Sequence, residues 1–184
     1  MNEVYLPSED TFLLMDAIKD VPYVKKAVEV GSGSGLVSAM LTYKSDYVIA
    51  TDIDLNSCYA TLKRLRKHGQ RTNTDVVCCN LLSPFREGSG FDLIVFNPPY
   101  LPDECLKDAS VFGGKHGVEI SIEFLNQARH VLSRSGRVLL VVSSVSDLGK
   151  LWRAASRLKL DHKMLKSVRL FFEEISVVEF KKSA

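Results

Sequence analysis

The residues Asn97-Pro98-Pro99-Tyr100 end the apolar run Phe91-Asp92-Leu93-Ile94-Val95-Phe96. Their types suit hydrogen-bond acceptance and stacking rather than more sheet. Proline donates no backbone hydrogen bond and fixes its own φ, so two in succession hold the exit of a strand in one extended shape. The Asn97 amide oxygen and the Pro98 carbonyl then stand as adjacent acceptors, with the Tyr100 ring as a flat wall beside them. An uncharged planar –NH2 group fits that arrangement: each N–H meets one acceptor while an aromatic face covers the plane. The competing reading is a strand followed by an ordinary Pro-Pro turn.

Other chemistry-bearing residues also fall at strand ends. Ala27-Val28-Glu29-Val30 reads as a short buried strand broken by one carboxylate, running into Gly31-Ser32-Gly33-Ser34-Gly35 and a helix from Leu36 to Leu41. Strand, glycine turn and helix open a doubly wound fold, in which ligands lie above the carboxyl ends of the strands. Glycines are needed where a turn is tight and a ligand approaches the backbone. The dinucleotide fingerprint would place glycine at position 36, which is Leu36, so a ligand without a pyrophosphate fits better. Tyr47-Val48-Ile49-Ala50-Thr51 reads as a second buried strand ending in Asp52-Ile53-Asp54. A carboxylate there can accept two hydrogen bonds from a ribose diol; Asp52, first out of the sheet, is preferred, with Asp54 the other candidate. Asp75-Val76-Val77-Cys78-Cys79 is a third strand, followed by Asn80-Leu81-Leu82-Ser83-Pro84-Phe85, a polar side chain and apolar neighbours that suit an adenine amino group and ring.

The remaining chain supplies the frame. Ser8 is expected to cap a helix from Glu9 onward, with Thr11 in its first turn. Asn56 is expected to cap a helix running to about His68. The stretch from Leu101 to Gly117, with Gly113, Gly114 and Gly117, reads as a mobile cover over the acceptor residues. A helix near 118–132, a buried strand Gly136–Val142 and a helix 147–158 follow. Extended runs near 161–168 and 174–180 are too close in sequence for a crossover, which forces an antiparallel hairpin.

A chain of 184 residues with 46% hydrophobic and 25% charged residues is expected to form one globular domain over its whole length. No apolar run reaches membrane-spanning length, and the acidic start Met1-Asn2-Glu3 differs from a basic signal peptide, so a cytoplasmic location is expected. Cys58, Cys78, Cys79 and Cys105 lack Cys-x-x-Cys spacing; they read as reduced, buried thiols, with no metal site in this chain. From Lys150 onward nine Lys/Arg face four Asp/Glu, a net of +5, against −3 for the residues before. Such a basic third suits either RNA or a solvated helix face, and direct nucleic-acid contact stays open.

Taken together, Pro7-Ser8-Glu9-Asp10-Thr11, Glu29-Val30-Gly31-Ser32-Gly33-Ser34-Gly35, Asn80-Leu81-Leu82-Ser83-Pro84, Asn97-Pro98-Pro99-Tyr100 and Gly113-Gly114 resemble the HemK-type glutamine methyltransferases. The likeness is to their short eukaryotic and archaeal form, which modifies the Gly-Gly-Gln loop of the class I translation termination factor. That resemblance implies an α/β, Rossmann-like class I fold that uses S-adenosylmethionine, with seven strands in order 3-2-1-4-5-7-6, the last antiparallel. It implies that Asn97, Pro98, Pro99 and Tyr100 handle the substrate amide. Thr11, Glu29, Gly31, Ser32, Gly33 and Gly35 would take the methionine end of the cofactor, Asp52 and Ile53 the ribose side, Asn80 and Leu81 the adenine, with Asn97 also adjacent. Asn80 departs from the Asp more usual in the family. The resemblance also implies a heterodimer with a small zinc-binding activator, expected along the edge strand Asp75–Cys79, whose two faces are expected to be covered by helices. Competing functions are methylation of the exocyclic amine of adenine in DNA or RNA, and a catalytically dead fold serving as a binding subunit.

Overall fold

The computed structural model describes residues 7–67, 73–101 and 114–183. Among these residues five helices and seven strands follow in the order α1 (Glu9–Lys19), β1 (Val24–Val30), α2 (Leu36–Leu41), β2 (Ser45–Asp52), α3 (Leu55–Lys67), β3 (Thr74–Cys78), β4 (Phe91–Phe96), α4 (Glu119–Val131), β5 (Leu132–Ser143), α5 (Leu148–Arg157), β6 (Leu160–Arg169) and β7 (Glu174–Lys182). The strands form one sheet in the order β3-β2-β1-β4-β5-β7-β6. Neighbours from β3 to β5 are parallel, while β7 runs antiparallel to both β5 and β6. The expected strand order and closing hairpin are both present.

The period-2 geometry of a strand divides the apolar residues between two cores. Leu93 and Val95 of β4, with Leu139 and Val141 of β5, pack with Leu14 and Ile18 of α1 and Val37 and Leu41 of α2. Ile94 and Phe96, with Val138, Leu140 and Val142, pack with Phe124, Leu125 and Ala128 of α4 and Leu151 and Ala155 of α5. Both faces of the central strands are therefore covered, and their carboxyl ends form a single rim.

Three expectations about this frame are corrected. Ser8 occupies the cap position of α1, but its side chain makes no capping bond; its Oγ donates to the Glu9 carboxylate at 2.5 Å. Asn56 lies inside α3, and Asp54 does the capping, its Oδ1 accepting from the Asn56 backbone N–H at 3.2 Å. The edge strand β3 is not sandwiched between helices: α3 packs against it, yet all five of its residues are half-buried or exposed.

Candidate functional site

The glycine turn is built by close packing. Gly31 and Gly35 both take the left-handed conformation, with φ of 66° and 74°. A Cβ on Gly35 would stand 2.7 Å from the Thr61 Cα, so a side chain there would push α3 away. A Cβ on Gly31 would meet the Phe96 ring at 3.1 Å, on a residue otherwise exposed. The turn is also fastened from outside. Ser32 N–H donates to the Thr51 carbonyl at 2.9 Å, Thr61 Oγ1 lies 3.0 Å from Ser32 Oγ, and Arg64 Nε donates to the Ser34 carbonyl at 2.7 Å.

Two carboxylates face this turn. Asp52 Oδ2 accepts from the Gly33 N–H and Oδ1 from the Asp54 N–H, both at 2.9 Å. Partial burial raises the Asp52 carboxyl above its ordinary range despite those donors. Glu29 is buried, with Ser38 Oγ of α2 donating to its Oε2. Burial pushes its carboxyl up to about 8; the Ser38 hydrogen bonds oppose that rise and the charge of Asp52 adds to it. Both acids are engaged, Asp54 in capping α3 and Asp52 in holding the Gly33 and Asp54 N–H groups.

The Asn97 side of the rim differs. The backbone oxygen of Asn97 lies 4.0 Å from a Cβ built on Gly31, which puts the acceptor residues beside the glycine turn. Asn97 Oδ1 is buried and has no hydrogen-bond partner among the described residues. Pro98 is buried and Pro99 half-buried. The Tyr100 hydroxyl donates to Asp10 Oδ2 at 3.3 Å, and the other carboxylate oxygen of Asp10 accepts from Thr11 N–H at 2.5 Å and from Thr11 Oγ1 at 3.1 Å. Asp10 thus ties the first turn of α1 to the exit of β4. The Tyr100 carbonyl accepts from Ser146 Oγ at 2.6 Å. On the adenine side, Leu81 adopts a left-handed φ of 51°, and its carbonyl accepts from Thr51 Oγ1 at 3.3 Å. Asn80 and Ile53 are exposed.

The sequence matches the family described as Methyltransferase small domain over residues 9–158. The chain belongs to that methyltransferase family. It is 33% identical to Methyltransferase HEMK2 of Mus musculus, across 98% of this chain and 91% of that protein. It is 31% identical to the eRF1 methyltransferase catalytic subunit mtq2 of Schizosaccharomyces pombe, across 79% of this chain and 75% of that one. Among solved structures, the Mtq2 chain of the E. cuniculi Mtq2-Trm112 complex, responsible for methylation of the eRF1 translation termination factor, matches with a TM-score of 0.77. That match covers 99% of this chain and all of the other at 23% identity, a likeness of fold.

In this methyltransferase the expected site residues converge on one rim: the glycine turn with Asp52, Leu81 joined to the end of β2, and Asn97 next to Gly31. Thr11 reaches it through Asp10. Sequence reasoning missed Asp10 as a site residue. A carboxylate in the first turn of a helix reads as a partner of the helix dipole, and only its burial reveals its other role. The expected mobile cover lies largely in 102–113, outside the described residues. Of its glycines, Gly114 and Gly117 serve close packing: a Cβ on Gly117 would stand 2.4 Å from the Tyr100 carbonyl, and one on Gly114 would stand 2.5 Å from Glu119 Oε2. Glu119 holds this junction. Partial burial pushes its carboxyl up, but Lys150 Nζ at 2.6 Å and the His116 N–H at 3.0 Å outweigh that and bring it down to about 2. The expectation of buried thiols holds for Cys58 alone, since Cys79 is half-buried and Cys78 exposed; Cys105 lies outside the described residues.

Proposed function

We propose that this methyltransferase carries a methyl group from S-adenosylmethionine to the side-chain amide nitrogen of a glutamine in the class I translation termination factor. It does so in the cytoplasm, as the catalytic subunit of a heterodimer. The observation that carries the reading is the buried, unpartnered Asn97 oxygen at the end of β4. A buried acceptor without a donor costs about 1–3 kcal/mol, and the N–H of an incoming planar amide removes that cost. A relative named eRF1 methyltransferase catalytic subunit supports the same substrate class.

The residues present fit the cofactor. Gly31 leaves open backbone where a side chain would intrude, Asp52 offers a carboxylate held by two N–H groups for a ribose, and Glu29 lies beneath the turn for the methionine end. Ser32, Gly33, Gly35 and Thr11 line that end, with Ile53 on the ribose side and Asn80 and Leu81 toward the base. When bound, S-adenosylmethionine supplies an electrophilic methyl on sulfur. A glutamine amide nitrogen is a weak nucleophile because its lone pair is delocalised into the carbonyl. Asn97 Oδ1 and the Pro98 carbonyl accept both of its N–H bonds, orient the nitrogen and stabilise positive charge developing on it, while Tyr100 stacks on the amide plane. Alignment and electrostatics of this kind act without a strong base. With the cofactor held by the glycine turn, Glu29 and Asp52, the methyl would pass from sulfur to the amide nitrogen held by Asn97 and Pro98, and that nitrogen would release its proton to water.

The partner is assigned to the half-exposed β3, the end strand of the sheet, a position that suits strand addition, with Ile53, Leu55 and Tyr59 as exposed apolar residues nearby in sequence and any zinc carried by the partner. Val77→Lys should lower co-purification of the small subunit. The adenine reading draws on the basic C-terminal third, but four of its bases are engaged: Lys150 with Glu119, Lys166 with Asp16 and Asp20, Lys181 with Glu179, and Lys182 with the Leu132 carbonyl. Mass spectrometry of the termination factor after incubation with the heterodimer and labelled S-adenosylmethionine tests the assignment. One added methyl on the Gly-Gly-Gln glutamine is expected; label in an adenine-containing nucleic acid and none in the factor would overturn it.

A further inference from the structure

Phe171 and Phe172 sit at the apex of the β6–β7 hairpin, 92% and 85% exposed, which makes them the most exposed large apolar side chains among the described residues. Hairpin apices ordinarily hold Asn, Gly or Asp, whose backbone preferences make the turn. Nothing in folding asks for two aromatic rings there. The rings meet edge to face, with centroids 4.7 Å apart at 85°, so the pair is a preformed apolar knob rather than two loose side chains. Its base is firm. Arg169 pairs with Glu174, Leu170 N–H donates to the Glu173 carbonyl at 2.8 Å, and Leu170 packs on the core beneath α1.

The position of the knob assigns it a role. Because β7 is antiparallel to β5, the hairpin turns at the carboxyl-end rim, the rim that holds Asn97. The four residues Ser143–Ser146, which end β5 and leave it, connect the two. Ser144 N–H donates to the Glu174 carbonyl at 2.9 Å, and Glu174 N–H to Ser144 Oγ at 2.9 Å. Ser143 Oγ donates to the Glu173 carboxylate, and Ser146 Oγ donates to the Tyr100 carbonyl at 2.6 Å. One short segment thus holds the exit of the acceptor strand at one end and the aromatic hairpin at the other. Exposed Val145 lies within that segment, and exposed Phe12 adjoins Thr11 on α1. From strand spacing and rise, the apex stands on the order of 20 Å from Asn97. Only a macromolecule that presents its amide at Asn97 spans both points.

We propose that Phe171 and Phe172 are the docking element for the protein substrate, seated against an apolar patch of that protein at a distance from the glutamine being methylated. This rests on the function proposed above. It places a substrate-holding surface near β6, at the edge of the sheet opposite in strand order to the edge assigned to the activator.

The test uses the chain purified with its small subunit, comparing the parent with Phe171→Ser/Phe172→Ser. Substrates are the intact termination factor and a five-residue peptide centred on its glutamine, which when extended reaches only about 8 Å to either side. For the intact factor the double variant should show KM raised about 10- to 100-fold with kcat within about threefold, the scale for losing a hot-spot contact. Its KM for S-adenosylmethionine, its rate on the peptide and its melting temperature should match the parent. Phe171→Leu/Phe172→Leu, which keeps apolar area, should recover most of the affinity. An unchanged KM for the factor overturns the proposal. So does an unchanged KM accompanied by loss of self-association or of binding to lipid vesicles, which would give the knob to a second copy or to a membrane. Failure of the parent itself to methylate the factor would instead strike the proposed function.

Discussion

The two halves of the rim are built on opposite terms. On the glycine-turn side the polar groups are already answered within the chain: Asp52 by two backbone N–H groups, Glu29 by Ser38, and Ser32 N–H by Thr51. At the end of β4, a buried amide oxygen is left without a donor. The first half is pre-set, so a ligand entering it pays little to order the backbone, and its affinity rests on a few fixed contacts. The second half carries an unmet demand that only an incoming group satisfies, which couples substrate entry to the relief of a local penalty.

The contrast is broken most directly at Asn97. Asn97→Ala should lower turnover by about 10²-fold or more, the scale for removing one oriented polar group, while calorimetry finds cofactor affinity nearly unchanged. Turnover within a few-fold of the parent would mean the unpartnered oxygen is not where the amide docks. Asp52→Ala attacks the answered half. It should weaken S-adenosylmethionine binding by about 1.5–3 kcal/mol and lower the melting temperature too, because Gly33 and Asp54 lose their acceptor. Unchanged affinity would transfer the ribose contact to Asp54.

Glu29 sharpens the comparison through pH. Its carboxyl is raised from an ordinary 4.5 to about 8 by burial, so the unfolded chain gives up this proton first. Between those values each step up in pH favours unfolding of the parent, and the loss is complete above about 8. Glu29→Gln has no proton to lose and keeps an acceptor for Ser38. Its advantage in melting temperature should be absent near pH 4, grow through neutrality and reach about 3–8 °C at pH 8. A cationic ligand favours ionised Glu29, so cofactor affinity of the parent should climb from pH 6 to 8 while that of the variant stays flat. A flat parent profile would remove Glu29 from the cofactor site. The smallest effect belongs to Tyr100→Phe. The 3.3 Å bond to Asp10 is long, and its loss should cost at most about 1 kcal/mol, or about fivefold in kcat/KM, with the stacking face retained. A drop as large as that of Asn97→Ala would shift the weight of the mechanism to the α1 contact.

What was legible in the sequence were residues that fix backbone unaided. Glycines between a strand and a helix, prolines after a strand and an acid at a strand tip carry their conformational consequence in their own chemistry, so the rim could be read; the strand order came from the family resemblance. Asp10 could not, because its partner Tyr100 lies 90 residues away and only the packing of α1 joins them. Asp54 and Asn56 are both competent caps two residues apart, and pattern alone does not choose between them. Gly114 and Gly117 were read as freedom but serve proximity, a distinction that depends on which atom stands opposite. For β3, the apolar Val76-Val77 suggested a buried strand, whereas an edge position leaves those residues half covered.

The docking of α1 has a consequence for how the chain reaches this state. Leu14, Ala17 and Ile18 pack in a core shared with Val141, Ile175 and Val177, and Lys166 bridges to Asp16 at 2.6 Å across 150 residues. The glycine turn and Asp52, by contrast, lie within β1, α2, β2 and α3, contiguous in sequence and able to assemble from local contacts. Topology of this kind orders folding: short-range units close quickly, and long-range ones wait for loop closure. Docking α1 against β5, β6 and β7 therefore closes the longest loops of the described fold and carries the larger closure cost. The cradle rests on short-range contacts, whereas the Asp10–Tyr100 clasp depends on that long-range docking.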